Sequence, residues 1–302
     1  MQVPVRAPFD FQKSIRRALS RSSLSVHVDL EKRVYQRAIR IADAPVLLSV
    51  RAVDRACAPY LEVVGAEQLA SGLQTELVGL VKRMFSADVD LLSFYRAFAQ
   101  DAVMTKVIEL GYGLRPILDT DPFEAIVRAI LGQQVTVQFA ATMNNRLLET
   151  FGTKVMSGDT TLHAYPTAQE LTETTPNMLR ELAISQRKAE YIIDFAQQVA
   201  SGRIEFAALE RLQDKEVLEQ LTKLRGIGAW TAQCYQLFCL GRPDVVPFAD
   251  VGIHRALTRA WNSGEIADAQ TLRALAPAWS PWGSYVTYYL WNSLIPVAPA
   301  PL

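Results

Sequence analysis

An aspartate that opens a helix about twenty residues beyond a glycine-rich turn is the point where residue spacing most strongly suggests chemistry. The stretch is LTKLRGIGAWTAQCYQLFCLGRPDVVPFADVGIHRAL, residues 221–257. Two helical patterns meet at Leu224-Arg225-Gly226-Ile227-Gly228. The glycines there permit positive φ and close backbone approach, while Leu224 and Ile227 anchor the turn in the core. The second helix begins with unpaired N–H groups, so a phosphate can sit on backbone donors and the helix dipole with little help from lysine. Asp250 comes after the turn-forming Gly241-Arg242-Pro243-Asp244 and Val246-Pro247, directly before the helix VGIHRALTRAW. A helix start favours negative charge, which suits a carboxylate that must stabilise a cationic reaction centre. Both features also have plain structural readings. A bare Gly-Ile-Gly between helices serves packing, Asp250 serves as an N-cap, and the two kinds of role are compatible.

Other chemistries find little support. Three cysteines (Cys57, Cys234, Cys239) and three histidines (His27, His163, His254) are scattered, without metal-ligand spacing or the even cysteine count of a disulfide framework. All three cysteines read as free thiols, and catalysis falls to carboxylates, hydroxyls or backbone groups. Thirty-one basic and thirty-one acidic residues balance, which argues against nucleic-acid binding by bulk counterion release and for contacts made by a few loops. No window approaches the roughly 18–20 apolar residues of a membrane span, so a cytosolic protein is expected.

The elements that must position Asp250 follow from periodicity. SLSVHVDL (23–30), VYQRAIRI (34–41), VLLSVRAV (46–53) and YLEVV (60–64) alternate with period two and read as antiparallel strands, followed by helical patterns at 73–85 and 90–98. From Asp121 onward the expected structure is all helix. Asp121 is the N-cap, Pro122 lies in the first turn and Glu124 reaches back in a capping box, and this helix runs to Gly132. A second runs from about Val135 to Gly152, with others at 167–174, 186–200, 205–212, 214–222, 229–240, 251–261 and 284–293. The tail IPVAPAPL (295–302) reads as a frayed end.

The run L-R-G-I-G-A-W-T-A followed by a proline-preceded Asp resembles the helix-hairpin-helix-GPD superfamily of DNA glycosylases, and within it the 3-methyladenine DNA glycosylase II, or AlkA, type. PFDF near the N-terminus, DPFEAIVRAILGQQVTVQFAA (121–141), RKAEYIIDFA (187–196) and WSPWGSYVTYYLW (279–291) extend the likeness over nearly the whole chain. The resemblance implies a mainly α fold, a two-lobed helical core with an N-terminal antiparallel α+β domain. Its expected parts are the N-terminal domain at 1–99, a lobe at 122–242 ending in the hairpin, and a second lobe from 100–121 plus 243–302.

It further implies Asp250 as the catalytic carboxylate and Trp230 and Trp291 as lining of the base pocket, with Tyr285 a weaker candidate. Cys234 and Asn292 stand at pocket positions that are aromatic in the enzyme type. Gly226 and Gly228 amides and the Thr231 hydroxyl would meet DNA phosphate, and Gln134 stands where the family inserts a leucine wedge. The carbonyls of Thr222, Leu224 and Gly226 would hold a structural Na+ or K+, with no cofactor for catalysis. The implied partner is double-stranded DNA containing alkylated bases, met by a monomer in the bacterial cytosol or nucleoid.

The chemistry fits the residues. A base inside a duplex must be flipped out before a side chain can reach its bond to the sugar. A purine alkylated at N3 or N7 is cationic, which weakens that bond, and one ionised Asp can stabilise the oxocarbenium-like sugar and admit water. Indole faces complement the cationic base. Relatives that also cut the strand use a lysine where this chain has Trp230, which favours a monofunctional hydrolase. The four cluster cysteines of the endonuclease III branch are absent from the sequence. The remaining alternatives are a non-catalytic helix-hairpin-helix module that only holds DNA, or a superfamily glycosylase for oxidised or deaminated bases.

Overall fold

The computed structural model describes residues 1–19, 23–41, 43–53, 58–64, 71–261 and 267–295. Cys57 and the tail beyond Ile295 lie outside them. The chain runs through β1 (Gln2–Pro4), α1 (Phe11–Leu19), β2 (Val26–Asp29), β3 (Val34–Ile41), β4 (Ala44–Val53), β5 (Tyr60–Val64) and α2 (Ser71–Met84). The five strands form an antiparallel sheet in the order β1-β5-β4-β3-β2. Alternation along β3 puts Tyr35, Ile39 and Ile41 on one face, where they share a core with Phe11 and Ile15 of α1 and with Leu77, Val81 and Met84 of α2.

The period-two reading of this region passes over α1. That helix is short and largely polar, but it carries a start signal, since Asp10 Oδ1 accepts the Lys13 amide at 2.9 Å and its carbonyl accepts the Ser14 amide at 3.1 Å. Only Phe11, Ser14 and Ile15 are buried, a stripe too brief to stand out from sequence.

The rest of the chain comprises α3 (Leu91–Ala97), α4 (Ala102–Leu110), α5 (Pro122–Gly132), α6 (Val137–Phe151), β6 (Thr153–Ser157), β7 (Thr160–Ala164), α7 (Ala168–Thr172), α8 (Pro176–Glu181), α9 (Gln186–Ala200), α10 (Phe206–Arg211), α11 (Asp214–Leu221), α12 (Ala229–Phe238), α13 (Val251–Trp261), α14 (Ala269–Leu275) and α15 (Gly283–Ser293). The expectation of helix throughout fails at β6 and β7. Thr153, Val155, Thr160 and Thr161 favour strand, and Gly158 at φ +55° closes the turn. This hairpin puts Leu162 and Ala164 against Ala38 and Leu47 of the sheet.

Two helical cores flank the hairpin region. One joins α5, α6, α9, α11 and α12 through residues such as Ile126, Leu147, Ile192, Leu221 and Tyr235. The other joins α3, α4, α13, α14 and α15 through Phe94, Met104, Ile253, Leu272 and Tyr289. Leu91, Phe94 and Phe98 pack in the second helical core, whereas the last buried residue of the N-terminal core is Ala87, with Ile117 packed against it.

Asp121 caps α5 as expected, accepting the Phe123 and Glu124 amides at 2.8 and 3.2 Å. Glu124 does not reach back. Its carboxylate is buried and pairs with Arg37 of β3 at 3.0 Å and Arg128 at 3.4 Å, while Asp119 pairs with the same arginines at 3.3 and 2.8 Å. A buried carboxylate without a cation is far costlier than an uncapped amide, so the ion pairs win. They tie the N-terminal sheet to the helical core.

Candidate active site

Asp250 is held from both sides. Its loop is fixed first: Asp244 accepts the Ser280 hydroxyl at 2.6 Å and the Gly283 amide at 3.0 Å. The Val245 amide donates to Ser284 Oγ at 2.9 Å, and Gln233 Nε2 donates to the Val246 carbonyl at 3.0 Å. Asp250 then starts α13, with Oδ1 accepting the Ile253 amide at 2.9 Å, so the N-cap role is real. Two further donors converge on it: Trp230 Nε1 reaches Oδ2 at 3.0 Å and Trp291 Nε1 reaches Oδ1 at 2.9 Å. An N-cap needs neither indole. Three N–H donors on one carboxylate fix its orientation.

The close approach of Trp291 depends on Gly252. A Cβ there would stand 2.8 Å from Asp250 Oδ1 and 3.0 Å from Trp291 Nε1, so any side chain would displace one of them. The glycine of Asp-Val-Gly-Ile-His was a legible signal that sequence reasoning passed over.

The other pocket candidates divide. Cys234 is half-buried and lies one helical turn beyond Trp230, on the same face of α12. Asn292 is half-buried, and helical geometry turns it about 100° from Trp291. Tyr285 is buried among Phe94 and Trp282, at ring separations of 5.8 and 5.4 Å, and burial pushes its phenol up to about 12. Its place is the aromatic core of the second lobe.

Trp291 has neighbours on its ring as well as on its N–H. Phe238 stacks at 5.5 Å and 15°, and the Arg17 guanidinium of α1 lies 5.1 Å from the ring centroid and equally far from that of Tyr288. Burial lowers the Arg17 pKa from its ordinary value, opposed by Tyr288, Asp250 and Cys234 in that order. Sequence reasoning missed Arg17 along with its helix, because nothing local relates α1 to Trp291.

At the hairpin, Gly226 has φ +82° and a Cβ on it would strike the Tyr191 ring at 2.2 Å. Gly228 is the N-cap of α12 in extended conformation, with open space around it and exposure to solvent. Only Gly226 of the two therefore uses positive φ. Arg225 is pinned by Glu190 at 2.7 Å and by the Tyr191 ring at 5.4 Å.

Thr231 departs from its expected role. It is 1 % exposed and its hydroxyl accepts Gln133 Nε2 at 2.9 Å, so it braces the interior instead of meeting a phosphate. The same Gln133 amide donates to the Gly226 carbonyl at 2.8 Å. Gln133, which the sequence did not single out, thus links the α5–α6 break to the hairpin. Its neighbour Gln134 is exposed at φ +54°, a conformation costing a non-glycine residue about 1–2 kcal/mol.

The histidines take structural places: His163 Nδ1 bonds the Leu148 carbonyl and His254 Nε2 the Phe248 carbonyl, both at 2.9 Å. Among the described residues no group of three His, Cys, Asp or Glu could hold a metal ion, and no helix is long and apolar enough to cross a membrane.

Residues 127–281, just over half the chain, match the family model described as HhH-GPD superfamily base excision DNA repair protein. The chain is 30% identical over 294 residues to a candidate DNA-3-methyladenine glycosylase of Bacillus subtilis, YfjP, covering 97% of this chain and 98% of that one. It is 27% identical over 276 residues to the DNA-3-methyladenine glycosylase of the same organism, covering 91% of each. The fold is shared with the 3-methyladenine DNA-glycosylase from Archaeoglobus fulgidus, at a TM-score of 0.83 and 22% identity over 96% of this chain and 97% of that one.

Proposed function

The chain belongs to the HhH-GPD superfamily of base excision DNA repair proteins, and from that membership and the surroundings of Asp250 we propose that it is a monofunctional DNA-3-methyladenine glycosylase of the AlkA type. It flips alkylated purines from duplex DNA and hydrolyses their N-glycosidic bond. The observation that carries this reading is the pair of indole N–H groups on Asp250. They hold in a fixed orientation the carboxylate that would stabilise an oxocarbenium-like sugar.

An ionised carboxylate offers about four acceptor sites. Oδ1 accepts two donors and Oδ2 one, so the remaining lone pair of Oδ2 is the one that can take a water proton. The cationic base leaves without needing a general acid. Flipping it costs a few kcal/mol, least for damaged pairs, and Gln134 fills the gap it leaves. The hairpin amides near Gly226 and Gly228 hold the phosphate, so double-stranded DNA binds a monomer through few charged contacts. A monovalent cation at the hairpin would take the Thr222 and Leu224 carbonyls. The Gly226 carbonyl, already accepting Gln133, would have to serve both.

The test is base release from duplexes each carrying one defined lesion, with the products separated and identified. The expected product DNA has an intact abasic site that breaks only in alkali or heat, and borohydride traps no protein–DNA adduct, because Trp230 occupies the place of the lyase lysine. Folded protein that binds the duplexes but releases no base from any of them would make the chain a non-catalytic DNA-binding module.

A further inference from the structure

We propose that Phe139, on the exposed first turn of α6, stacks on the base left unpaired when the lesion is flipped, so that the opposite strand is held whichever base it carries. This role rests on the reading of the chain as a base-flipping glycosylase. Thr136, Val137, Gln138 and Phe139 are all exposed, Val137 at 58% and Phe139 at 44%. A helix of a globular protein turns an apolar face inward, and α6 does so only from Met143 onward. One exposed apolar side chain is ordinary. Two on a single turn, a few residues after Gln134, form an apolar knob on the surface.

The knob stands beside the site that handles the lesion. A Cβ at Gly132 would lie 3.6 Å from the Trp230 ring, whose Nε1 bonds Asp250, so the break between α5 and α6 adjoins the catalytic carboxylate. The break is tied down on two sides. Gln133 donates to the Gly226 carbonyl and the Thr231 hydroxyl, and Lys188 Nζ donates to the Leu131 carbonyl at 2.7 Å. Two non-helical residues and one helical turn lead from Gln134 to Phe139, which puts their Cα atoms at most about 12 Å apart, or roughly three base-pair steps. Thr136 Oγ1 accepts the Phe139 amide at 3.2 Å, so the cap of α6 is filled from within and the turn offers DNA its side chains.

A flipped nucleotide leaves its partner base without a pairing edge and without one neighbour in the stack. Gln134 fills the gap in this reading, but an amide offers little stacking area. A phenyl ring beside it supplies that area, as apolar side chains do when they enter the minor groove between base steps. The ring has no donor or acceptor, and every base presents a π-face, so the contact is indifferent to base identity. That suits alkylated purines. A methylated adenine stands opposite thymine and a methylated guanine opposite cytosine, and a side chain reading the opposite base by hydrogen bonds would favour one of them. Val137 adds apolar contact with the groove.

The experiment measures binding to three duplexes of one sequence, each carrying a tetrahydrofuran abasic analogue. In the first it faces thymine, in the second cytosine, and in the third a second analogue, where no base remains to stack. Wild-type protein should bind the first two within about twofold of each other. Phe139→Ala should weaken binding to both by about five- to a hundredfold, the worth of one base stacked on an aromatic ring. Its binding to the third should stay within about twofold of wild type, since the lost stack is the only change. Phe139→Tyr keeps the ring and should keep the wild-type affinities. Thermal unfolding checks that each variant folds.

Equal loss on all three duplexes in Phe139→Ala puts the ring on groove or backbone and overturns the assignment, as does an alanine variant equal to wild type. A wild-type preference of more than about tenfold between thymine and cytosine overturns the indifference to the opposite base. Each of these outcomes, with wild-type protein still releasing 7-methylguanine, leaves the glycosylase reading standing. Wild-type protein that binds no abasic duplex more tightly than undamaged DNA and releases no base sinks that reading itself.

Discussion

Replacing Asp250 by Asn keeps the shape of the site and changes two things that the structure allows to be sized. The first is charge. At an effective dielectric of about 20 and a separation of about 4 Å, a carboxylate stabilises a unit positive charge by about 4 kcal/mol, or roughly three powers of ten in rate. The second is hydrogen bonding. Oδ1 accepts Ile253 N and Trp291 Nε1, and Oδ2 accepts Trp230 Nε1. An amide loses least by keeping its oxygen at the Oδ1 position, which turns its NH2 toward the Trp230 N–H and leaves that donor unpaired, at a cost of about 1–3 kcal/mol in stability. Asp250→Asn should therefore release 7-methylguanine about a thousandfold more slowly under single-turnover conditions. Its affinity for abasic-site duplex, which contains no bond to break, should change little. A folded Asp250→Asn within tenfold of the wild-type rate would refute the assignment of the charge to Asp250.

Other perturbations separate the parts of the site. Gln134→Ala should weaken binding to abasic-site duplex and slow release from paired lesions more than from lesions in single strands. Gln134→Leu should recover much of the loss, and equal rates for alanine variant and wild type would assign the wedge elsewhere. Gln133→Ala leaves the buried Thr231 hydroxyl and the Gly226 carbonyl without their donor, so urea unfolding should show a loss of about 1–3 kcal/mol. Gly252→Ala should slow base release by pushing Trp291 from Asp250, and a crystal structure retaining both indole bonds would contradict it. Burial, with the charge of Glu124, pushes the Asp121 carboxyl up to about 6. The folded state then holds this proton more tightly than the unfolded one, so stability falls as pH rises from about 4 to 6, by about 3 kcal/mol. Asp121→Asn keeps a cap oxygen for the Phe123 and Glu124 amides and should flatten that part of the curve, and an unchanged pH profile would remove Asp121 as its source.

Much of this protein is written in local sequence. Strand β3 spans the residues its alternation marks, α5 starts where Asp121 and Pro122 say, and the hairpin and Asp250 stand where the Gly-Ile-Gly and Val-Pro signals place them, because periodicity, caps and turns act over a few residues. Short elements were harder. α4, α8 and α14 begin at Asp101, Thr175 and Asp268 caps that were readable, but their apolar stripes are too brief to stand out. β6 and β7 were lost under the helical pattern on either side.

Tertiary structure alone decided which distant groups meet. Glu124, in position for a capping box, instead pairs with Arg37, 87 residues earlier, because burial makes the missing charge partner the larger cost. Thr231, polar and next to the hairpin, turns inward to Gln133. The two indoles on Asp250 come from 20 residues before it and 41 after, and the guanidinium on Trp291 comes from the first helix of the chain. A sequence specifies local conformation through neighbours on the chain, whereas the charge and donors surrounding one carboxylate depend on how whole elements pack.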